Sequence, residues 1–165
     1  MSNLILGSLL PTIHSTVRRK LVSEILGHRE ELCLLDFIGA SNYFITEYGV
    51  VWHKPQALMV RQRFKSRPLH TDYLPLVIKD RYTLTQWVQI PTDLGKIWFP
   101  VTQLLGWAYS PTTDRTQRYF VAKSAGYPVH YSNLTLTSTN PVTRKESLYN
   151  RFMSELYAIE DAQTN

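Results

Sequence analysis

The first part of the chain carries apolar residues at helical spacing. They are Val17, Leu21, Val22, Ile25 and Leu26. Residues repeated in this way share one face of an α-helix. Ser15 or Thr16 provides a side chain that could cap the helix, and Gly27 is placed to end it. The pattern therefore predicts a helical N-terminal segment over residues 1–35.

The middle of the chain is richer in aromatic and β-branched residues. Residues 43–52 predict a hairpin around a Tyr48–Gly49 turn. Further strands are predicted over 58–67, 73–79, 82–90 and 97–99, with a turn over 91–95. Pro100 suits the first turn of a short helix that closes near Tyr109. Residues 43–109 thus form a predicted β-rich core with one packed helix.

The last third predicts a second β region and a closing helix. The β region covers residues 115–140, and Asn140 with Pro141 would begin a helix over 141–161. The apolar stripe of this helix consists of Tyr149, Phe152, Met153, Leu156 and Ile159. Together the patterns predict one α+β domain over 1–165, with N-terminal helices, a central antiparallel β-sheet, a short packed helix and a C-terminal amphipathic helix.

Composition narrows the class of protein. The chain is 44% apolar and 19% charged, which is typical of a globular domain. Cys33 lies among leucines and is expected to be buried. The apolar N-terminus has no basic residue before Arg18 and is interrupted by Pro11, which fits neither a signal peptide nor a membrane span. We expect a cytoplasmic protein, in a host cytoplasm or an assembled particle, that is not secreted and binds no membrane.

The positive charge is concentrated in one segment. The net charge is +5, and residues 54–81 carry seven basic and two acidic side chains, so this segment holds the whole net charge. Its basic residues are Lys54, Arg61, Arg63, Lys65, Arg67, Lys79 and Arg81, and its acidic residues are Asp72 and Asp80. Such a segment favours an anionic partner, with nucleic acid as the first candidate.

Four of these cations alternate along the predicted strand 58–67, at Arg61, Arg63, Lys65 and Arg67. On one continuous strand, all four would share a face. Such a face would bind phosphates and release counterions. The alternative is that the charges protect a strand edge from aggregation. Arg18 and Arg19, in the first turn of the predicted N-terminal helix, would either bind an anion or form a solvated face.

Several segments, taken in order, resemble the modular region of phage-type HNH homing endonucleases. They are residues 43–52 (YFITEYGVVW), 73–79 (YLPLVIK), 97–109 (IWFPVTQLLGWAY) and 133–138 (NLTLTS). The resemblance implies a phage or mobile-element origin and contact with duplex DNA through the basic strand.

The catalytic signature of that family is not matched. Thr102 stands where the family's helix has a histidine, and residues 121–123 stand where the catalytic histidine is expected. His130 with Asn133 and Asn140 is the nearby set that could serve as base and ligands. The simpler interpretation of His130 is a strand residue that makes a hydrogen bond. No cofactor is therefore expected, with Mg²⁺ required only in an active nuclease.

Three functions follow from these patterns. The first is a nucleic-acid-binding protein on an HNH-like scaffold that lacks a complete metal site. The second is a structural or assembly component of a phage particle or other large complex, which binds a protein partner through the apolar N-terminus. The third is an active metal-dependent DNA endonuclease. Whether the protein is an enzyme is left open.

Overall fold

The computed structural model describes residues 12–13, 17–25, 27–40, 42–54, 59–62, 65–68, 74–75, 78–81, 85–92, 95–110, 117–123, 130–142 and 148–164. Within 59–85 and at 163–164 the description is of the backbone. The strands are β1 Lys20–Ile25, β2 His28–Leu34, β3 Tyr43–Ile45, β4 Val51–His53, β5 Met59–Gln62, β6 Lys65–Pro68, β7 Leu74–Pro75, β8 Ile78–Arg81, β9 Thr85–Thr92, β10 Gly95–Pro100, β11 Tyr119–Ala122 and β12 Leu134–Thr137. The helices are α1 Val101–Tyr109 and α2 Leu148–Thr164.

The strands form four antiparallel sheets among the described residues. The first sheet has the order β1-β2-β3-β4-β7, and the second has the order β10-β9-β8. Strands β5 and β6 pair with each other, as do β11 and β12. The predicted α+β class, with an antiparallel sheet, a short packed helix and a C-terminal helix, is confirmed.

The helical segment predicted over 1–35 is wrong at residues 17–25 and 27–35, where the backbone forms β1 and β2. Strands β1 and β2 form a tight hairpin in which Ile25 pairs with His28. Gly27 adopts φ +83, a backbone angle that glycine adopts without steric cost. Leu21 and Val22 remain 37% and 57% exposed, so no buried stripe holds a helix here. Of the predicted N-terminal helices, residues 12–13 are helical, and residues 1–11 and 14–16 lie outside the described residues.

Two other predicted strands are each two strands. The chain reverses within the predicted strand 58–67, so that β5 and β6 pair antiparallel. The predicted strand 73–79 is divided between β7 in the first sheet and β8 in the second. The hairpin predicted over 43–52 is confirmed, with Phe44 opposite Trp52.

The short helix predicted to close near Tyr109 is confirmed as α1, although Pro100 is the last residue of β10 and precedes the first turn. Asn140 and Pro141 do not begin α2, since their backbone is not helical. The Asn140 side chain instead accepts a hydrogen bond from the Val142 N–H (2.9 Å) and donates one to Asn150 Oδ1 (2.9 Å). Asn150 in turn donates to the Val142 carbonyl (3.0 Å). Asn140 therefore fastens a loop to the side of α2, because an asparagine side chain can satisfy nearby backbone groups in place of a helix cap.

The main core lies between the sheets and the two helices. The stripe predicted on α2 packs here, with the Phe152 ring 5.5 Å from that of Phe99 and the Tyr149 ring 5.6 Å from that of Trp87, both edge to face. These four aromatic side chains are fully buried, and each such burial stabilises the fold by about 1.5–3 kcal/mol. Among the described residues, no helix is long and apolar enough to cross a membrane.

Cys33 is buried, as predicted, and its sulfur lies 3.8 Å from the Ala108 carbonyl oxygen. Burial raises the pKa of this thiol from 9.0 to about 11. Since the thiolate is the reactive form, a rise of about two units lowers its population near pH 8 about 100-fold. We expect iodoacetamide to alkylate Cys33 at least about 100-fold more slowly in the native protein than in the urea-unfolded protein. Similar rates in both states would contradict a buried, protonated thiol.

Candidate nucleic-acid interface

The centre of the basic segment is a two-stranded ribbon formed by β5 and β6. Arg61 pairs with Ser66, Gln62 with Lys65, and Val60 with Arg67. Cross-strand partners share a face of a sheet, and neighbours along a strand alternate between faces. The prediction that the four cations share one strand face is therefore wrong. The position of Arg61 lies on one face of the ribbon, and those of Lys65 and Arg67 lie on the other.

The predicted common face required a continuous strand through Arg63, but the chain turns back between Gln62 and Lys65. Arg63 itself lies outside the described residues. Among the described strands, β5 and β6 pair only with each other. The ribbon is thus a separate two-stranded unit within the basic segment.

The remaining basic residues of the segment belong to other sheets. Lys79 and Arg81 are on β8, the edge strand of the second sheet, where they pair with Trp87 and Thr85. Lys54 follows β4 of the first sheet, and its backbone N–H donates to the Asn42 carbonyl (2.9 Å). The basic segment therefore passes through three sheets.

The Arg18 side chain stabilises the fold. Its guanidinium donates hydrogen bonds to four backbone carbonyls, those of Thr12 (2.9 Å), Ile13 (2.7 Å), Val17 (3.2 Å) and Trp107 (2.9 Å). It also lies 4.3 Å from the centre of the Phe37 ring. Trp107 is in the last turn of α1, where carbonyls lack helical partners and a cation is favoured. Burial lowers the pKa of Arg18, although the Cys33 and Asp36 charges oppose this effect.

Arg19 contrasts with its neighbour. Its side chain is 79% exposed, and its Nε lies 3.4 Å from Asp36 Oδ2. An exposed ion pair of this kind contributes little to stability. The two arginines that the sequence grouped together are thus separated by the structure, and the Arg19 guanidinium is the one that reaches the surface.

No protein-family model, curated protein or solved structure matches this chain. The resemblance to HNH homing endonucleases and the phage or mobile-element origin that it implies therefore remain predictions.

His130 lies before a 3-10 turn, Tyr131–Asn133, and not in a strand as predicted. Its Nδ1 accepts a hydrogen bond from the Ser132 backbone N–H (3.1 Å) and lies 2.7 Å from Ser132 Oγ. Its Nε2 is 3.8 Å from Glu47 Oε2. The order serine, histidine, glutamate has the form of a proton relay. However, the single lone pair of Nδ1 already receives a backbone N–H, so the imidazole is engaged as a cap.

Asn133, the other candidate from the sequence, ends the same turn. Its backbone N–H donates to the His130 carbonyl (3.0 Å), and its carbonyl accepts from the Lys123 N–H (2.7 Å). Among the described residues, no group of three or more His, Cys, Asp and Glu side chains could hold a metal ion. These contacts give both residues a structural role in joining β11 to the turn before β12.

An aromatic array surrounds His130 and was missed at the level of sequence. The Tyr48 ring lies 4.9 Å from the imidazole, the Tyr131 ring lies 4.5 Å from it, and Tyr131 stacks on Tyr109 at 5.6 Å. The Tyr109 hydroxyl donates to the Ile45 carbonyl (3.1 Å). These residues come from three distant segments, so no spacing indicates the array. It cross-links the β3–β4 turn, the end of α1 and the 3-10 turn.

Proposed function

We propose that the protein binds nucleic acid, with duplex DNA as the preferred form, through the basic segment 54–81. The observation that carries the proposal is that this segment holds the whole net charge of +5. A cationic segment of this kind gains affinity by displacing counterions from phosphates. The proposal is binding without cleavage and without a cofactor, on a scaffold of HNH-like segment order.

The β5–β6 ribbon gives this segment a shape suited to DNA. A major groove about 12 Å wide admits a two-stranded β-ribbon. Phosphates line both walls of the groove, so basic positions on both faces of the ribbon suit it better than a single charged face would. Edge protection is a weaker explanation, because one or two charges suffice to protect a strand edge.

The test is a titration of fluorescent duplex and single-stranded DNA from about 50 to about 300 mM salt. We compare the wild type with a ribbon variant that carries Arg61→Gln, Arg63→Gln, Lys65→Gln and Arg67→Gln. If each residue contacts one phosphate, the slope of log affinity against log salt falls by about 3.6 for duplex DNA. Affinity at low salt should fall at least about tenfold.

A charge-matched control separates local contacts from general attraction. Four exposed basic residues outside the segment are available: Arg29, Lys96, Lys123 and Arg151. Changing them to Gln also removes four charges from the net charge of +5, which leaves +1 as in the ribbon variant. We expect this control to keep most of the affinity. Equal losses in both variants, or binding that does not depend on salt, would overturn the proposed role of the ribbon.

Cleavage is measured in the same samples. Linear and supercoiled DNA incubated with Mg²⁺ or Mn²⁺ should remain intact at protein concentrations that saturate binding. Cleavage that is lost in a His130→Ala variant would contradict the proposal of binding alone and favour the endonuclease.

A further inference from the structure

Strand β1 is the outermost strand of the first sheet, and among the described strands its outer edge has no partner. Its register with β2 fixes which backbone groups face outward. The pair Ile25–His28 closes a two-residue turn and is therefore a hydrogen-bonded pair. At the other end, the Leu34 N–H donates to the Arg19 carbonyl (2.9 Å), which places Arg19 in the same bonded set.

The alternate residues of β1 are Lys20, Val22 and Glu24. They occupy the non-bonded positions opposite β2, so their N–H and C=O groups point away from the sheet. All three side chains are exposed, and Val22 is 57% exposed. The outer edge of β1 thus presents a cation, an apolar residue and an anion, at equal intervals, together with backbone donors and acceptors that pair with no other described strand.

We infer that this edge pairs with the same edge of a second copy of the chain. In an antiparallel pair centred on Val22, the two valines lie opposite each other. Lys20 of each copy then lies opposite Glu24 of the other, and opposite charges placed in this way stabilise a strand pair. The three outward-facing residues coincide with the three bonded positions of such a pair, so each pair of residues exchanges two hydrogen bonds.

The order of charges along β1 favours a second copy of the chain as the partner and an antiparallel orientation of the two strands. A parallel pairing in the same register would place Lys20 opposite Lys20 and Glu24 opposite Glu24, which repels. Charges of a single sign would keep any second copy away, as on protected edges. Opposite charges at equal distances on either side of Val22 are complementary to themselves under a two-fold axis, which is the requirement for an isologous dimer. The two five-stranded sheets would then become one continuous sheet.

Two neighbouring features fit this interface. Lys20 Nζ lies 5.0 Å from the centre of the Tyr109 ring, which holds the ammonium group at this edge of the sheet. On the opposite face of the strand, Leu21 is 37% exposed and would lie opposite Ser23 of the second copy. The pairing would cover part of this apolar surface.

The test is sedimentation velocity of the full chain, without nucleic acid, from about 1 to about 100 μM, a range that covers weak dimers. We expect the wild type to form a dimer as concentration rises. Lys20→Glu and Glu24→Lys, made separately, each place like charges opposite one another and should shift the dissociation constant upward at least about tenfold. The double variant with both changes restores opposite charges and should dimerise like the wild type.

Mixing the two single variants gives the sharpest outcome. In the mixed pair, the two negative positions of one chain lie opposite the two positive positions of the other. The mixture should therefore form a heterodimer under conditions where each variant alone is a monomer. Because both variants are assayed as components of a complex that forms, loss of folding cannot explain the result.

Val22→Pro gives an independent test. The Val22 N–H points outward, so proline removes a bond to the second copy and none to β2, a position that tolerates proline. Circular dichroism should show an intact fold, and sedimentation should show a monomer. A wild type that stays monomeric at about 100 μM, single variants that dimerise like the wild type, or a mixture that stays monomeric would each overturn the proposal. None of these results depends on DNA binding.

Discussion

Replacing Gly106 with alanine is expected to lower the free energy of unfolding by about 3 kcal/mol, although alanine is the better helix former. Gly106 is buried in α1, and a Cβ atom built at this position would overlap the Phe120 ring. Phe120 on β11 is itself buried, and its backbone N–H donates to Gln103 Oε1 (3.0 Å). Gln103 also donates to the Arg118 carbonyl (3.0 Å). Since β11 is fastened to α1 at two points, it cannot move away to make room.

Urea unfolding of the purified variant measures this effect. Thr102→Ala is the matched control, because it places alanine in the same helix at a half-buried position whose native residue already carries a Cβ atom. We expect it to change stability by less than about 1 kcal/mol. In the double variant Gly106→Ala/Phe120→Leu, the loss of stability should be smaller than the sum of the two single losses. The difference should exceed half of the loss caused by Gly106→Ala alone, because the flat ring that meets the new methyl group is gone. If the two losses simply add, the close packing of α1 on β11 is not the cause.

Arg18→Gln is expected to lower the free energy of unfolding by about 2–3 kcal/mol. The change leaves the Trp107 carbonyl at the end of α1 and the carbonyls of Thr12, Ile13 and Val17 without the guanidinium that now bonds them. Hydrogen bonds to a charged group contribute more than neutral ones, and Arg18 is partly buried. Arg18→Lys should recover less than half of the loss, because an ammonium group lacks the planar fork that reaches several acceptors.

The neighbouring Arg19→Gln is the control for charge. Its side chain is 79% exposed, so the loss should stay below about 0.5 kcal/mol. In DNA titrations, Arg18→Gln should keep the salt slope of the wild type as long as the protein is folded. A stability loss that is equal in the two variants, or a lower salt slope in Arg18→Gln, would contradict the structural role of Arg18.

The correctly predicted elements are those whose conformation is indicated by neighbouring residues in the sequence. The hairpin over 43–52 has continuous runs of β-forming residues on both sides of Gly49, which adopts a positive φ of 78°. Pro100 marks the start of α1, and the buried positions of α2 recur at helical spacing. In each case the residues that determine the conformation lie close to each other in the sequence.

The wrong predictions concern segments whose conformation depends on a pairing partner elsewhere in the chain. Residues 20–25 have helical apolar spacing, but pairing with β2 makes them a strand. Residues 63 and 64 are Arg and Phe, so no glycine, proline or asparagine indicates the reversal between β5 and β6. The charge of segment 54–81 was readable from composition alone, whereas its division over three sheets depends on strand pairing. The bond from Arg18 to Trp107 spans 89 residues, and no local pattern indicates it.

The position of α2 has a consequence for synthesis on the ribosome. Tyr149, Phe152, Met153, Leu156 and Tyr157 of α2 belong to the main core, together with Trp87 and Phe99 from the second sheet. Domains are made from the N-terminus at about 5–20 residues per second, so the sheets emerge from the exit tunnel before the helix that covers them. During that interval the aromatic residues of β9 and β10 are not yet packed against α2. Completion of the core therefore follows translation of α2, and chaperones that shield exposed apolar surface would act on the sheets until α2 has left the exit tunnel.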